Sequence, residues 1–167
     1  TSQIEGGQLG GLLDYRTDVL DPVMNTLGRV AVALQFNMNE QHALGIDING
    51  QAGGLFFEDI NDSAIAQSRV ISNANNEEPN DRILSVNITD PNLLETSDYE
   101  VSFIGPNDYT FQVTRVSDGE TMLTSTLSTE FPESFDIEGF DLTFEAGTFK
   151  EGDKFYLVPT RNAAQYI

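Results

Sequence analysis

Few side chains in this sequence could do chemistry: one histidine and many carboxylates. The 167 residues contain His42, 27 aspartates and glutamates, and no cysteine. Without cysteine the chain has no thiolate nucleophile, no cysteine metal ligand and no disulfide. No Gly-x-Ser-x-Gly elbow accompanies His42, which stands where a helix is expected to end. We therefore interpret His42 as a helix-terminal cation or a packed side chain, and we predict no catalytic residue.

The strongest candidate for a metal site is the segment from Asp47 to Gln51, which resembles part of a calcium loop. Its glycine, Gly50, falls at the fourth loop position instead of the sixth, and the closing acid would be Glu58. Asp, Asn and Gly also form tight turns through their own side chains, so we predict neither metal nor cofactor. Carboxylate pairs for glycoside cleavage stay open, because 27 acids always offer some pair at the required separation.

The charge of the chain excludes several classes of partner. Six Arg and two Lys against 27 acids give a formal net charge of −19. Such a surface repels phosphate backbones and anionic lipid headgroups, so we expect neither nucleic acid nor a membrane as partner. No apolar run approaches the roughly 18 residues of a membrane span. The hydrophobic content of 39%, with 11 Phe, predicts a folded core.

The elements that position these side chains begin with a helical stretch reaching to about residue 45. An apolar packing seam runs through it at helical spacing and is formed by Leu13, Leu20, Val23, Leu27, Val30 and Leu34. This seam predicts packing against other helices of the same subunit, and Leu27→Asp is then expected to be strongly destabilising. Because the seam keeps its phase across Pro22, we predict one kinked helix or two nearly collinear ones.

Glycines stand on both sides of this helix. Those at positions 6, 7, 10 and 11 are expected to form a loop before a helix that begins near Leu12, although close approach to a neighbouring helix would also explain them. Residues 45–54 predict a turn-rich connection. The polar segment 58–79 predicts mostly loop, with one short element near residues 63–72.

From Arg82 onward the hydrophobic period changes to two. Alternating runs predict strands near residues 82–88, 99–103, 109–114, 120–127, 135–137, 140–144 and 154–158. Strands this short and this closely spaced are typical of an antiparallel sandwich or barrel. Pro159 stops the last strand, and Thr160 is a good N-cap for a further helix.

The order of these elements predicts an α+β fold, an incomplete helical bundle with an inserted antiparallel β sandwich or barrel. Its predicted parts are residues 1–57, a helical segment and connecting loop; residues 58–159, a β-rich domain; and residues 160–167, the start of a returning helix. The absence of an initial Met and of a signal segment suggests a piece of a longer protein.

A series of short motifs runs along nearly the whole chain. In the helical part they are residues 6–16 (GGQLGGLLDYR), 19–22 (VLDP), 42–50 (HALGIDING) and 53–57 (GGLFF). In the β part they are residues 88–91 (ITDP), 97–100 (SDYE), 114–119 (TRVSDG) and 159–164 (PTRNAA). Each motif alone is weak, but in this order they resemble the flagellar hook-associated protein 1 family.

The resemblance implies a structural, non-enzymatic protein that joins the flagellar hook to the filament and is needed for filament assembly. It implies a helical inner domain up to about residue 45 and an outer β domain. The implied partners of the full-length protein are the flagellar hook protein, the second junction protein and copies of itself. The implied location is the extracellular flagellum, reached by export without a cleaved signal peptide. The family's terminal coiled-coil segments are absent, so the chain itself is expected to be monomeric.

Two alternatives stay open on the residues alone. A carbohydrate- or surface-binding β module would use exposed aromatic side chains, and Tyr99 and Tyr109 are the candidates. Tyr99 alternates in phase with Val101 and Phe103, and Tyr109 alternates in phase with Phe111 and Val113. This pattern favours burial of both tyrosines. A secreted acidic hydrolase would need a nucleophile constellation that the sequence lacks.

Overall fold

The computed structural model describes residues 6–79, 81–105, 107, 109–128 and 130–166. Its helical part is continuous and consists of α1 (Gly7–Tyr15), a π-helical turn (Arg16–Leu20) and α2 (Asp21–Ala43). The amide of Asp21 donates to the carbonyl of Arg16, five residues back, so this wider turn carries the helix past Pro22. The expected loop at the front is wrong, because α1 already begins at Gly7.

Eight strands follow the helix and form two antiparallel sheets. They are β1 (Val70–Ser72), β2 (Ile83–Ile88), β3 (Tyr99–Phe103), β4 (Thr110–Arg115), β5 (Thr121–Thr126), β6 (Glu133–Ile137), β7 (Phe140–Ala146) and β8 (Lys154–Leu157). The larger sheet has the order β1-β8-β3-β4-β5, and the smaller has the order β2-β7-β6. The predicted α+β class, a helical part beside an antiparallel sandwich, is confirmed.

Phenylalanines fill the space between the two sheets. Phe103 and Phe111 of the larger sheet contact Phe144 of the smaller sheet, with ring centroids 6.1 Å and 4.9 Å apart. Phe149, in the connection before β8, stacks on Phe103 at 4.8 Å. All four rings are buried. The period-two pattern of the sequence therefore marks the side of each strand that faces this core.

Local and distant side chains both shape the sandwich. Glu138 and Gly139 have positive φ angles of 43° and 88°, which are the backbone conformations of the tight turn that joins β6 to β7.

The segment predicted as one short element near residues 63–72 contains helix α3 (Ser63–Ser68) as well as β1. Arg69, between them, donates to the carbonyl of Val86 on the outer edge of β2, and burial lowers its pKa to about 10.

The chain returns to the helical part after β8. Ala163 joins Ala31 and Val32 of α2 and Ile60 in the buried core. In the described residues the C-terminal segment forms one 3₁₀ turn, Ala163–Gln165, so the returning helix and the domain boundaries stay predictions. None of the helices in the described ranges has both the length and the apolar content needed to cross a bilayer.

Candidate functional site

Helix α2 has a small, polar face that packs on the β domain. Its buried residues are Asn25, Gly28, Ala31, Val32 and Gln35. Residues three and four apart lie on one side of a helix, so these positions form one contact surface. The sequence analysis missed this face because it followed large apolar residues. The available signal was a glycine between two amide side chains at helical spacing.

A neighbouring face of the helical segment is apolar and exposed. Among the predicted seam residues, Leu13 is half-buried, and exposures of 45% to 61% are found for Leu20, Val23, Leu27, Val30 and Leu34. We call these five residues the apolar row. Across the described part of the chain no other helix covers the row. The packing of the seam on other helices therefore stays a prediction. The expected strong destabilisation of this chain by Leu27→Asp is wrong, because the carboxylate would reach water at an exposed position.

The apolar row is nearly free of charge. Arg29 is the only charged residue between Pro22 and Asn39. Residues 58–167, in contrast, contain 21 acids and six bases and hold −15 of the net charge of −19. Covering an uncharged apolar surface contributes roughly 25 cal/mol per Å² and desolvates no ion. The row is therefore suited to association with another apolar surface.

A strap formed by residues 44–58 folds back along the end of α2 and is held by polar side chains. Oδ1 of Asn39 accepts hydrogen bonds from two consecutive backbone amides of the strap, both at 2.8 Å. Nδ1 of His42 lies 2.7 Å from the carbonyl oxygen of Gly54. Because a carbonyl can only accept, Nδ1 carries the proton. His42 is thus placed at the helix end, as predicted, and acts there as a structural hydrogen-bond donor.

Asp47 organises the turn at the tip of the strap. Its Oδ1 accepts hydrogen bonds from the backbone amides of Asn49 and Gln51, both at 2.8 Å. The hydrogen bond from Gln51, followed by those from Asn49 and Gly50, lowers the pKa of the Asp47 carboxyl. This is the turn chemistry expected for the segment. The described residues contain no group of three or more His, Cys, Asp or Glu that could hold a metal ion.

The strap also presents apolar side chains to solvent. Those exposed are Leu44, Ile46, Ile48, Leu55 and Phe56, and Ile48 at the tip is 99% exposed. A groove of about 390 Å³, lined partly by Met38 and Ile46, lies beside them. The sequence analysis missed this second apolar surface because the Asp and Gly residues explained the segment as a turn. The alternation of Leu44, Ile46 and Ile48 was the available signal.

The densest group of charges in the β domain surrounds Arg115. It forms ion pairs, each at 2.6 Å, with Asp118, Glu120 and Glu138. The hydroxyl of Tyr99 donates to Glu138 at 2.6 Å, and burial together with this carboxylate raises the pKa of Tyr99. The group ties strand ends together and holds no nucleophile. Tyr99 is buried and Tyr109 is half-buried against the core, so neither offers the exposed platform of a carbohydrate-binding module.

Comparison with known proteins identifies relatives of both parts of the chain. Residues 1–57 match the family model of the flagellar hook-associated protein FlgK helical domain, and residues 71–159 match that of the flagellar hook-associated protein 1 D2-like domain. Flagellar hook-associated protein 1 of Escherichia coli strain K12 is 36% identical over 157 residues, 94% of this chain. The Salmonella typhimurium protein of the same name is 34% identical over the same length.

A solved structure supports the same relationship. The flagellar hook junction protein FlgK from Burkholderia pseudomallei superposes with a TM-score of 0.75 at 34% identity, covering 97% of this chain and 27% of that one. The chain spans 26% of the length of the curated relatives. The D2-like model alone covers more than half of the chain, and the helical-domain model precedes it in the expected order. The chain therefore belongs to the flagellar hook-associated protein 1 family, as the motifs suggested.

Proposed function

We propose that this chain is a structural part of a bacterial flagellum that joins the hook to the filament and is needed for filament assembly, without enzymatic activity. The observation that carries the proposal is the apolar row: five large aliphatic side chains stay in solvent on an uncharged helix face. Surfaces of this kind are typical of association sites. The structural relatives, named for the flagellar hook, supply the setting.

Within this proposal the apolar row is covered by helices of the same subunit that lie outside these 167 residues. Support comes from its spacing, since a row repeating every three or four residues matches the side of another helix. The exposure of Leu27 and Val30 leaves room for such a partner. The inner face of α2 is already occupied by the β domain, so the two faces serve different contacts.

The acidic β domain forms the outer part of the subunit, outside the cell. Residues 58–159 contain 21 acids and five bases, and the resulting net charge of −16 keeps a solvent-facing domain soluble. The flagellar hook protein, the second junction protein and other copies of the subunit are the proposed partners. A chain without cysteine cannot form disulfides that would obstruct export as an unfolded polypeptide, which supports export without a cleaved signal peptide.

The test uses the full-length gene in its own bacterium. Deleting it is expected to leave hooks without filaments and to release unpolymerised filament subunits into the medium, and the wild-type gene restores filaments. Leu27→Asp in the full-length gene is expected not to restore them, because the charge would be buried. Thr26→Asp, one residue away and outside the row, is the matched control.

The outcomes separate the function from the role of the row. Normal filaments after deletion contradict the proposed function. Failure after deletion with full rescue by Leu27→Asp contradicts only the proposed covering of the row. Immunoblots of each variant distinguish loss of assembly from loss of the protein.

A further inference from the structure

Helix α2 meets the β domain at charged side chains from three separate parts of the chain. Asp21 begins α2, Asp98 directly precedes β3, and Arg161 follows β8. Nη2 of Arg161 lies 3.2 Å from Oδ2 of Asp21 and also pairs with Oδ2 of Asp98. The three side chains are 10% to 21% exposed, so solvent screens these pairs only in part. One guanidinium thus connects the helix to the β domain.

Two polar side chains and a close backbone approach complete the contact. Nδ2 of Asn25 donates to Oδ1 of Asp98, and the hydroxyl of Thr160 donates to Oδ1 of Asn25, both at 3.2 Å. The backbone of Thr160 lies against Gly28 so closely that a Cβ there would overlap the Thr160 carbonyl oxygen. Every one of these contacts joins segments that are far apart in the sequence.

The apolar part of the joint uses two small side chains of α2. Ala31 and Val32 join Ile60 and Ala163 at one end of the buried cluster that also contains the phenylalanines of the sandwich. Hydrophobic burial has no preferred direction, whereas charge-assisted hydrogen bonds have defined geometry. The polar contacts are therefore the ones with the geometry to define an angle between α2 and the β domain. A cavity of about 360 Å³ borders the charged group and is lined by Asp21, Asp98 and Arg161 among others. The Arg161 side chain therefore has space to move away from the two carboxylates.

We propose that Asp21, Asp98 and Arg161 form a clamp that fixes the orientation of the β domain on α2. When Arg161 is removed, the β domain turns as a body on the strap of residues 44–58, which connects it to α2, and stays folded. The phenylalanine core between the sheets contains none of the clamp residues, so the β domain keeps its own source of stability. This inference concerns the chain alone and does not rest on the proposed function.

The absence of cysteine allows a direct test with paired spin labels on this 167-residue chain. One pair, Glu40→Cys with Thr124→Cys, spans the joint between α2 and β5. A second pair, Thr124→Cys with Asp136→Cys, lies inside the β domain. All three positions are exposed. Pulsed electron–electron double resonance then gives a distance distribution for each pair of spin labels.

Arg161→Gln is the test variant, and Arg29→Gln, which removes a positive charge elsewhere on α2, is its matched control. We expect Arg161→Gln to abolish the single narrow distance across the joint while the distance inside the β domain stays unchanged. Asp98→Asn is expected to act in the same direction. A narrow, unshifted distance across the joint in both variants overturns the clamp. Broadening of the distance inside the β domain also overturns the proposal, because the clamp residues would then stabilise the fold of the β domain and not its orientation on α2.

Discussion

Leu27 and Val32 lie five residues apart on the same helix, and the structure predicts different outcomes for the same substitution. Leu27 is 51% exposed, whereas Val32 is fully buried. In this chain we expect Leu27→Asp to lower the free energy of unfolding by about 1 kcal/mol. We expect Val32→Asp to lower it by about 4 kcal/mol or more. The pair therefore measures which face of α2 this chain buries.

The magnitudes follow from burial. Complete burial of a leucine contributes roughly 2 kcal/mol, so the half-buried Leu27 contributes about 1 kcal/mol. A carboxylate there reaches water, and the lower helix propensity of Asp adds only a few tenths of a kcal/mol. At Val32 the lost apolar contacts are worth roughly 2 kcal/mol, and a carboxyl group without a partner adds at least about as much again. Such a loss is a large share of the roughly 5–15 kcal/mol that stabilises a domain.

Urea denaturation followed by far-UV circular dichroism measures both variants against the wild type. The slope of each transition must be unchanged for the midpoints to be compared. A loss of several kcal/mol in Leu27→Asp would refute the assignment of Leu27 to an exposed row. Repeating the titration at two protein concentrations then shows whether a second copy covers the row, because a dimer's midpoint depends on concentration.

Three further substitutions test packing and charge in the same chain. Gly28→Ala is expected to cost about 1–3 kcal/mol because its Cβ would overlap the backbone of Thr160, whereas Gly11→Ala, with open space around it, stabilises the helix by up to about 1 kcal/mol. Equal thermal shifts for the two variants would contradict the close approach. Asp141 faces Asp136 across β7 and β6, and burial, followed by that like charge, raises the pKa of Asp141. The ionised form is therefore disfavoured by folding, so Asp141→Asn is expected to stabilise the chain at pH 7 by less than about 1 kcal/mol and to have no effect near pH 2, where the carboxyl is protonated both folded and unfolded. Urea titrations at the two pH values check this, and a gain that persists in acid argues against a charge effect.

The strands were predictable because their signals are local. Alternation along Tyr99, Val101 and Phe103 marks one buried side, and Glu138–Gly139 marks a turn that joins neighbouring strands. The pairing of β2 with β7 and of β1 with β8 joins segments far apart in the chain, and no local pattern encodes those choices. Strand β1, which the sequence analysis merged with α3 into one short element near residues 63–72, belongs to such a distant pair.

The helix shows a different limit. Periodicity identified which residues of α2 share a face, and the apolar row does lie on one side. Hydrophobicity alone then favoured the burial of that row within the subunit. The inner face is buried instead because Asn25 and Gln35 find partners in Asp98 and Glu58, and these partners are not visible in the helix sequence. A glycine at position 28 permits the approach that brings them together.

The division of charge between the two parts of the chain has a consequence for assembly. Because the helical face holds almost no charge, covering it requires no desolvation of ions. The β domain, with a net charge of −16 over residues 58–159, repels another copy of itself over a distance of roughly 8 Å at physiological salt. In the proposed assembly, subunits held together through their helices would therefore crowd their β domains side by side without those domains adhering. In that proposed assembly, the orientation fixed by the proposed clamp at Arg161 would decide how far apart the acidic surfaces of neighbouring subunits stay.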